Sequence, residues 1–220
     1  MFYNVGKKEG VFMNIEKLKN FLYYNWIHIA AVVFAIVFIA VTFVQCSGRE
    51  EIDLGIMYVG GEAVSDKLTA LAEDIKNAGI LTDADESGTI KLNTKPITVP
   101  ESKEYMIEQQ VPEQIQVEII SGENLVYLLP KETLISYAVD ESFADITNLA
   151  TKINASTDSC MSYEDGRIYA IPLEGNTLLA EKGIDTTGMY IAQRNYLPEE
   201  ENSAFNINAR RAVEYILERN

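Results

Sequence analysis

An uninterrupted apolar segment near the N-terminus constrains this chain more than any other feature of its sequence. The segment runs from Ile27 to Val44, reads IHIAAVVFAIVFIAVTFV, and contains 18 residues without a charge. A helix of that length rises about 27 Å, close to the ~30 Å thickness of a bilayer core. A soluble core helix of the same length would normally carry a polar stripe, which this segment lacks. The pattern therefore predicts a transmembrane helix over residues 27–45.

The residues that flank the segment predict its orientation. Tyr23, Tyr24 and Trp26 precede it, and such amphipathic rings favour the headgroup layer. Four lysines also precede it, whereas Arg49 alone follows closely, so the positive-inside rule places the N-terminus in the cytoplasm. The predicted organisation is a cytoplasmic segment, a transmembrane helix, a linker and an extracytoplasmic domain, over residues 1–26, 27–45, 46–51 and 52–220. We thus expect a single-pass protein of the cell membrane.

Three alternatives concern how the N-terminus is processed. A cleaved signal peptide has a shorter apolar stretch and small residues at its cleavage site, whereas this stretch ends with the bulky Phe43 and Val44. Cys46 stands where a bacterial lipoprotein carries its lipid, but Gln45 is a poor fit at the preceding position. An uncleaved signal anchor is therefore the expected form. Translation starting at Met13 is a further hypothesis, which would remove the first 12 residues.

The acidic residues are concentrated after the apolar segment. From Arg49 onward there are 31 acidic and 14 basic residues, and the whole chain has a formal net charge of −15. A domain this acidic repels nucleic acid and anionic lipid, so we expect no nucleic-acid partner. The expected partners are the membrane, through residues 27–45, and an unidentified protein or small-molecule ligand.

The chemistry-bearing residues exclude several classes of enzyme. The one histidine of the chain is His28, at the start of the apolar segment, so the outer domain has no Ser-His-Asp triad, Cys-His pair or histidine metal site. The two cysteines, Cys46 and Cys160, form neither a disulfide framework nor a metal motif. A carboxylate-based hydrolase is compatible with the composition, although no pair of acids is singled out. We expect a protein without catalytic activity and without a cofactor.

Apolar runs and helical periodicities alternate along the outer domain. Strands are predicted at Ile52 to Val59, around Ile97 to Val99, and over three further segments; those segments are Leu125 to Leu129, Arg167 to Leu173 and Gly188 to Gln193. Helices are predicted between Val64 and Gly79, after Pro130, and at the C-terminus, where Asn208 is a plausible N-cap. Tyr105 to Ile120 is compatible with a strand or a short helix. This alternation predicts an α/β fold with a mainly parallel or mixed sheet flanked by helices.

One acidic segment resembles the start of a calcium-binding loop. Asp83, Asp85 and Ser87 occupy the first, third and fifth positions, and Gly88 occupies the sixth. The match ends there, because Thr94 stands where a bidentate Glu belongs. The segment is therefore either an acidic surface turn or a weak cation site with Asp83, Asp85 and Ser87 as metal ligands.

Two further patterns are compatible with ligand binding. Gly60-Gly61 precedes a predicted helix and could present backbone N–H groups to an anion, but two glycines alone are a weak signal and favour a plain tight turn. Four tyrosines lie on or beside predicted strands, where aromatic rings either line a cleft or pack in the core; they are Tyr127, Tyr163, Tyr169 and Tyr190.

Two motifs resemble segments of extracellular solute-binding proteins. In the first, the strand LVYLLP at residues 125–130 leads through a helix to Phe143-Ala144-Asp145-Ile146. In the second, DGRIYAIPL at residues 165–173 is similar to the DGK-x-Y-A-I-P strand of that family. The resemblance covers about 100 of the 220 residues. It implies a periplasmic-binding-protein-like lobe in a bacterial protein.

The resemblance also implies a function class. A single lobe on an anchor implies a non-catalytic module that binds a ligand or a protein outside the cytoplasm. One alternative is the substrate-binding component of an ABC importer, although complete members of the family have two lobes. The other alternative, which comes from composition, is the carboxylate-based hydrolase acting on envelope glycans.

Overall fold

The apolar segment of the sequence lies within one long helix of the computed structural model. The model describes residues 15–47, 52–60, 64–99, 107–121, 124–138 and 141–219. Helix α1 spans Ile15–Ser47, and its stretch Phe21–Thr42 has a mean hydropathy of 2.2, long and apolar enough to cross a membrane. The helix extends beyond the predicted span of residues 27–45 at both ends.

The chain divides into two compact units, Met1–Glu50 and Glu51–Asn220. The described residues of the second unit form six strands and six α-helices. The strands are β1 Leu54–Gly60, β2 Leu92–Thr98, β3 Val126–Pro130, β4 Met161–Ser162, β5 Ile168–Pro172 and β6 Met189–Gln193. The helices are α2 Ser65–Asn77, α3 Ile107–Ser121, α4 Lys131–Tyr137, α5 Thr147–Lys152, α6 Thr177–Glu181 and α7 Ala204–Leu217. A short 3-10 helix occupies Pro198–Glu200.

The six strands form one mixed sheet in the order β2-β1-β3-β6-β5-β4. Strand β1 pairs in parallel with β2 and β3, whereas β3–β6, β6–β5 and β5–β4 are antiparallel pairs. Strands β1, β2, β3 and β5 therefore share one direction, and β4 and β6 run the opposite way. The predicted α/β class and the mixed, helix-flanked sheet are confirmed, and the mainly parallel alternative is not what forms.

Helices cover both faces of the sheet, because side chains of successive strand residues point to opposite faces. On the larger face, Ile56 and Leu128 pack against helices α2, α5, α6 and α7. On the other face, Met57 and Tyr127 pack against α3 and α4. Fully buried strands of this kind read as continuous apolar runs, which is why β1 and β3 were recognisable in the sequence.

Two predictions are settled by the helices themselves. The ambiguous segment before Ser121 is helical, since Ile115 and Ile119 are buried one turn apart while Val117 between them is exposed. The predicted N-cap of the last helix is wrong. Ser203 caps α7 by accepting a hydrogen bond from the Asn206 backbone N–H at 3.3 Å, and Asn208 lies inside the helix and is fully buried.

Candidate functional site

A groove of about 790 Å³ opens where β5 ends, between helices α5 and α7. Its volume lies within the range of about 300–1,000 Å³ that is usual for small-molecule sites. Ligands of open α/β sheets bind outside the carboxyl ends of the strands, and β5 is one of four strands that end on this edge. The apolar part of its lining consists of Ile153, Ala155, Ile171, Pro172 and Leu217.

Hydroxyl and amide groups complete the lining of this groove. Ser156 and Ser159 lie in the turn after α5, and the Ser159 hydroxyl donates to the Ser156 carbonyl at 2.8 Å. Tyr190, at the start of β6, is half-buried beside them, and its Cα pairs with that of Pro172 across the strands. Asn154 and Glu174 also line the groove. Hydroxyl and amide groups together with apolar side chains suit a small polar ligand with an apolar face.

Ion pairs and a left-handed residue hold the wall formed by α5. The Lys152 ammonium pairs with Glu214 and, at 3.0 Å, with Glu218, which joins the end of α5 to α7. Asn154 has a φ of 54°, a conformation that asparagine tolerates better than most residues, and it turns the chain away from the helix. These contacts place the Ser156 turn opposite the end of α7.

Asn176 holds the wall formed by α7. Its side chain is fully buried, its Nδ2 donates to the Ile216 carbonyl at 2.7 Å, and its Oδ1 accepts from the Leu179 N–H at 2.9 Å. One carboxamide thus satisfies the last turn of α7 and the first turn of α6. Because the amide oxygen and the amide nitrogen are both engaged, the end of α7 beside the groove is held against α6.

The calcium-like segment folds into a loop whose oxygens are largely engaged within the loop. Asp83 accepts backbone N–H groups from Asp85 at 3.3 Å and from Gly88 at 2.5 Å. Asp85 accepts the Ser87 N–H at 3.1 Å and pairs with the Lys91 ammonium at 2.7 Å. That ammonium and the hydrogen bonds of the loop hold the pKa of Asp85 far below its usual range. Lys91 therefore supplies a positive charge at the position where a cation would neutralise Asp85.

The surroundings of this loop do not add further metal ligands. Within the described ranges, no group of three or more His, Cys, Asp or Glu side chains is arranged to hold a metal ion. The Ser87 hydroxyl, the third predicted ligand, donates to the Thr89 carbonyl at 3.2 Å. Asp83, Asp85 and Ser87 are thus brought into one loop, and a weak calcium site there stays a prediction.

The four predicted tyrosines fall into two groups. Tyr127 and Tyr169 are buried in the core, and both rings contact Phe143 with centroids 5.9 Å away. Tyr163 joins them at 4.5 Å from Tyr169, and its hydroxyl donates to the Phe143 carbonyl at 2.8 Å. Burial raises the pKa of Tyr163 to about 12. Of the four, Tyr190 lines the groove.

Gly60 has a packing role in the structure. A Cβ at this position would lie 2.2 Å from the hydroxyl oxygen of Tyr58, whose ring is buried beside it. A side chain at position 60 would therefore force the Tyr58 ring to shift. Its neighbour Gly61 lies outside the described residues, and so does the anion site predicted for the pair.

Of the residues that line the groove, the sequence pattern singled out Tyr190, and it predicted no ligand contact for the strand DGRIYAIPL. The motif DGRIYAIPL forms the turn before β5 and the strand itself, and it contributes Ile171 and Pro172 to the lining. Ser156 and Ser159 were missed, since an isolated serine-rich turn resembles any surface loop. In comparisons with known proteins, no family model, curated protein or solved structure matches the chain.

Proposed function

We propose that the chain is a single-pass membrane protein that holds a non-catalytic binding domain outside the cytoplasm. The groove between α5 and α7 is the observation that carries the proposal, because its volume and mixed lining suit a small ligand. The 22-residue apolar stretch of α1 supports the anchor, and the lysines before it support an N-terminus in the cytoplasm.

The ligand that this groove suits is a small, uncharged, hydroxyl-rich molecule such as a saccharide. Tyr190 borders the groove. The Ser156 hydroxyl can donate and accept, and the Ser159 hydroxyl, which already donates to the Ser156 carbonyl at 2.8 Å, can accept. Lys152, the cation of the lining, is already paired with two carboxylates, so no free positive charge is offered to an anion. The resemblance of DGRIYAIPL to a strand of solute-binding proteins agrees with this role.

Impermeant-thiol labelling tests the topology. Glu181 is exposed at the end of α6, so a Glu181→Cys variant in a Cys160→Ala background gives a reporter on the outer domain. In intact bacterial cells we expect a membrane-impermeant maleimide to label it, with Cys160→Ala alone as the control for Cys46. Labelling of the Glu181→Cys reporter that requires cell lysis would contradict the proposed orientation.

A thermal-unfolding screen tests the binding role. The full chain in detergent is unfolded in the presence of saccharides, amino acids and short peptides, and the transition is followed by circular dichroism. A ligand at about 100 times its Kd stabilises the native state by about 2.7 kcal/mol, which raises Tm by several degrees. A saccharide is expected to give this rise, and a screen in which no compound changes Tm would count against the proposal.

A further inference from the structure

A second cavity, of about 450 Å³, lies at the opposite edge of the same sheet. Gln193 reaches it from the C-terminal end of β6, where its Cα pairs with that of Val126 at the start of β3. Tyr196 and Arg210 line a second side. Its apolar part is formed by Ile146, Leu149 and Pro198, and carboxylates are contributed by Asp145 and Glu201.

Gln193 is a buried polar side chain with unused hydrogen-bonding capacity. It is 2% exposed, and its Nε2 makes one long contact, 3.5 Å from the Asn206 carbonyl. Its Oε1 accepts no hydrogen bond from the residues that the structure describes. Every fully buried side-chain nitrogen or oxygen in those residues has a partner, so this oxygen keeps some accessible surface, and Gln193 is one of the residues that line the cavity. A buried amide of this kind points to a ligand that supplies the missing partner.

Arg210 brings an available cation to the same cavity. Its guanidinium has five donors, of which the described residues engage one, through a contact of 3.3 Å to the Tyr196 hydroxyl. The nearest carboxylate partner, Glu201, is 3.9 Å away. The neighbouring Arg211 differs, since it donates to the Ile80 carbonyl and the Thr82 hydroxyl on another side of α7. The planar fork of Arg210 is therefore suited to hold a carboxylate in two hydrogen bonds.

Asp145 brings the complementary negative charge. Its Oδ1 accepts from the Thr147 backbone N–H at 2.9 Å and from the Thr147 hydroxyl at 2.6 Å, which fixes the carboxylate. Its Oδ2 accepts no hydrogen bond from the described residues. The positioned carboxylate oxygen of Asp145 and the Oε1 of Gln193 belong to residues that line the same cavity, and together they offer two acceptors to an ammonium group.

We infer that this cavity binds a free α-amino acid with an apolar side chain. Arg210 and the Tyr196 hydroxyl hold its carboxylate, and Asp145 and Gln193 accept from its ammonium group. Ile146, Leu149 and Pro198 enclose the side chain. A zwitterion fits this lining because the cavity offers both a cation and carboxylates. A ligand with a single charge would leave either the arginine or the carboxylates of the cavity without a partner. The site is separate from the groove at the other edge of the sheet.

Calorimetric titration of the full chain in detergent tests this site, with L-valine, L-leucine and L-methionine as probes. Concentrations up to about 10 mM detect a Kd of about 1 mM. At least one probe is expected to bind. Its N-acetyl and amide derivatives, which each lack one charge, are expected to bind at least about tenfold more weakly, as lost charge-assisted hydrogen bonds require.

Variants assign the binding to the cavity. Arg210→Gln and Asp145→Asn should each weaken binding about tenfold or more, while Arg211→Gln, on the adjacent helix position, should leave it unchanged. Arg210 is about half exposed, so its replacement is expected to leave the thermal transition in place. Absence of heat with all three probes would overturn the inference, and so would unchanged binding by Arg210→Gln. Neither result bears on saccharide binding in the groove.

Discussion

Asn208 and Asp53 lie 155 residues apart in the chain and are joined by a hydrogen bond of 3.0 Å from Asn208 Nδ2 to the Asp53 carbonyl. Both side chains are fully buried. The same amide of Asn208 exchanges two further hydrogen bonds with the backbone of Thr82, and the Asp53 carboxylate accepts from the N–H groups of Ala84 and Lys91. One polar cluster thus ties the last helix, the first strand and the acidic loop together.

Replacement of Asn208 by Ala should destabilise the outer domain. The change leaves the buried Asp53 carbonyl and the part-buried N–H and carbonyl of Thr82 without these partners, and an unsatisfied buried group costs about 1–3 kcal/mol. We expect a loss of about 3 kcal/mol, or roughly 6–12 °C in Tm, in thermal unfolding of the full chain followed by circular dichroism. The exposed Asn202→Ala serves as the matched control. Equal effects of the two substitutions would contradict the role assigned to Asn208.

Replacement of Gly60 by Ala should displace the ring of Tyr58. Overpacking of a filled core costs about 1–3 kcal/mol, and the added Cβ would clash with two ring carbons and the hydroxyl oxygen of Tyr58. A double-mutant cycle with Tyr58→Leu measures the relationship, since Gly60→Ala should cost less once the ring is gone. Additive effects on the free energy of unfolding would show that the ring is not what requires glycine.

Ionisation of Tyr163 should destabilise the domain at alkaline pH. Burial raises its pKa to about 12, whereas an unfolded tyrosine ionises near pH ~10. The stabilising contribution is therefore complete below pH ~10 and is lost as the pH rises towards about 12. Absorbance at the tyrosinate band should show a late step that Tyr163→Phe removes. Ionisation of Tyr163 together with the earliest tyrosines would contradict the burial of its hydroxyl.

Lys91 should compete with calcium for Asp85. The ammonium lies 2.7 Å from the carboxylate, so a cation entering the loop must displace it or share the oxygen. We expect Lys91→Ala to bind calcium more tightly than the natural chain in calorimetric titration, and Lys95→Ala, on β2, to behave like the natural chain. Equal calcium affinity of all three proteins would show that Lys91 does not compete for the loop.

The long apolar and periodic segments of the sequence predicted most of the fold. The run before Gly60 and the run before Pro130 each satisfy the pattern of a buried strand, so both were placed within two residues of their ends. The N-cap prediction for Asn208 was wrong because an asparagine can either cap a helix or be buried within it. Which role it takes depends here on Asp53 and Thr82, which are distant in the chain.

The direction of the strands and the position of the groove could not be predicted from the sequence, because both depend on contacts between residues that are distant in the chain. The segment between β5 and β6 is long enough to contain the crossover helix that a parallel pair of strands needs. In the structure, however, its helix α6 has five residues, and the two strands pair antiparallel. Strand β4 has two residues, too few for a recognisable alternation. Ser156 and Ser159 line the groove because Lys152, just before their turn, forms ion pairs with Glu214 and Glu218 at the end of α7. No local sequence pattern predicts those ion pairs.

The most direct test of a ligand-binding groove is to fill it. Calorimetric titration of the full chain with the saccharide that raises Tm most is compared between the natural chain, Ser156→Trp and Thr157→Trp. Ser156 lines the groove, and its exposed neighbour Thr157 is not part of that lining. We predict that Ser156→Trp weakens binding at least about tenfold and that Thr157→Trp leaves it unchanged. Binding that survives in Ser156→Trp, or that is absent from the natural chain, would contradict the proposed site.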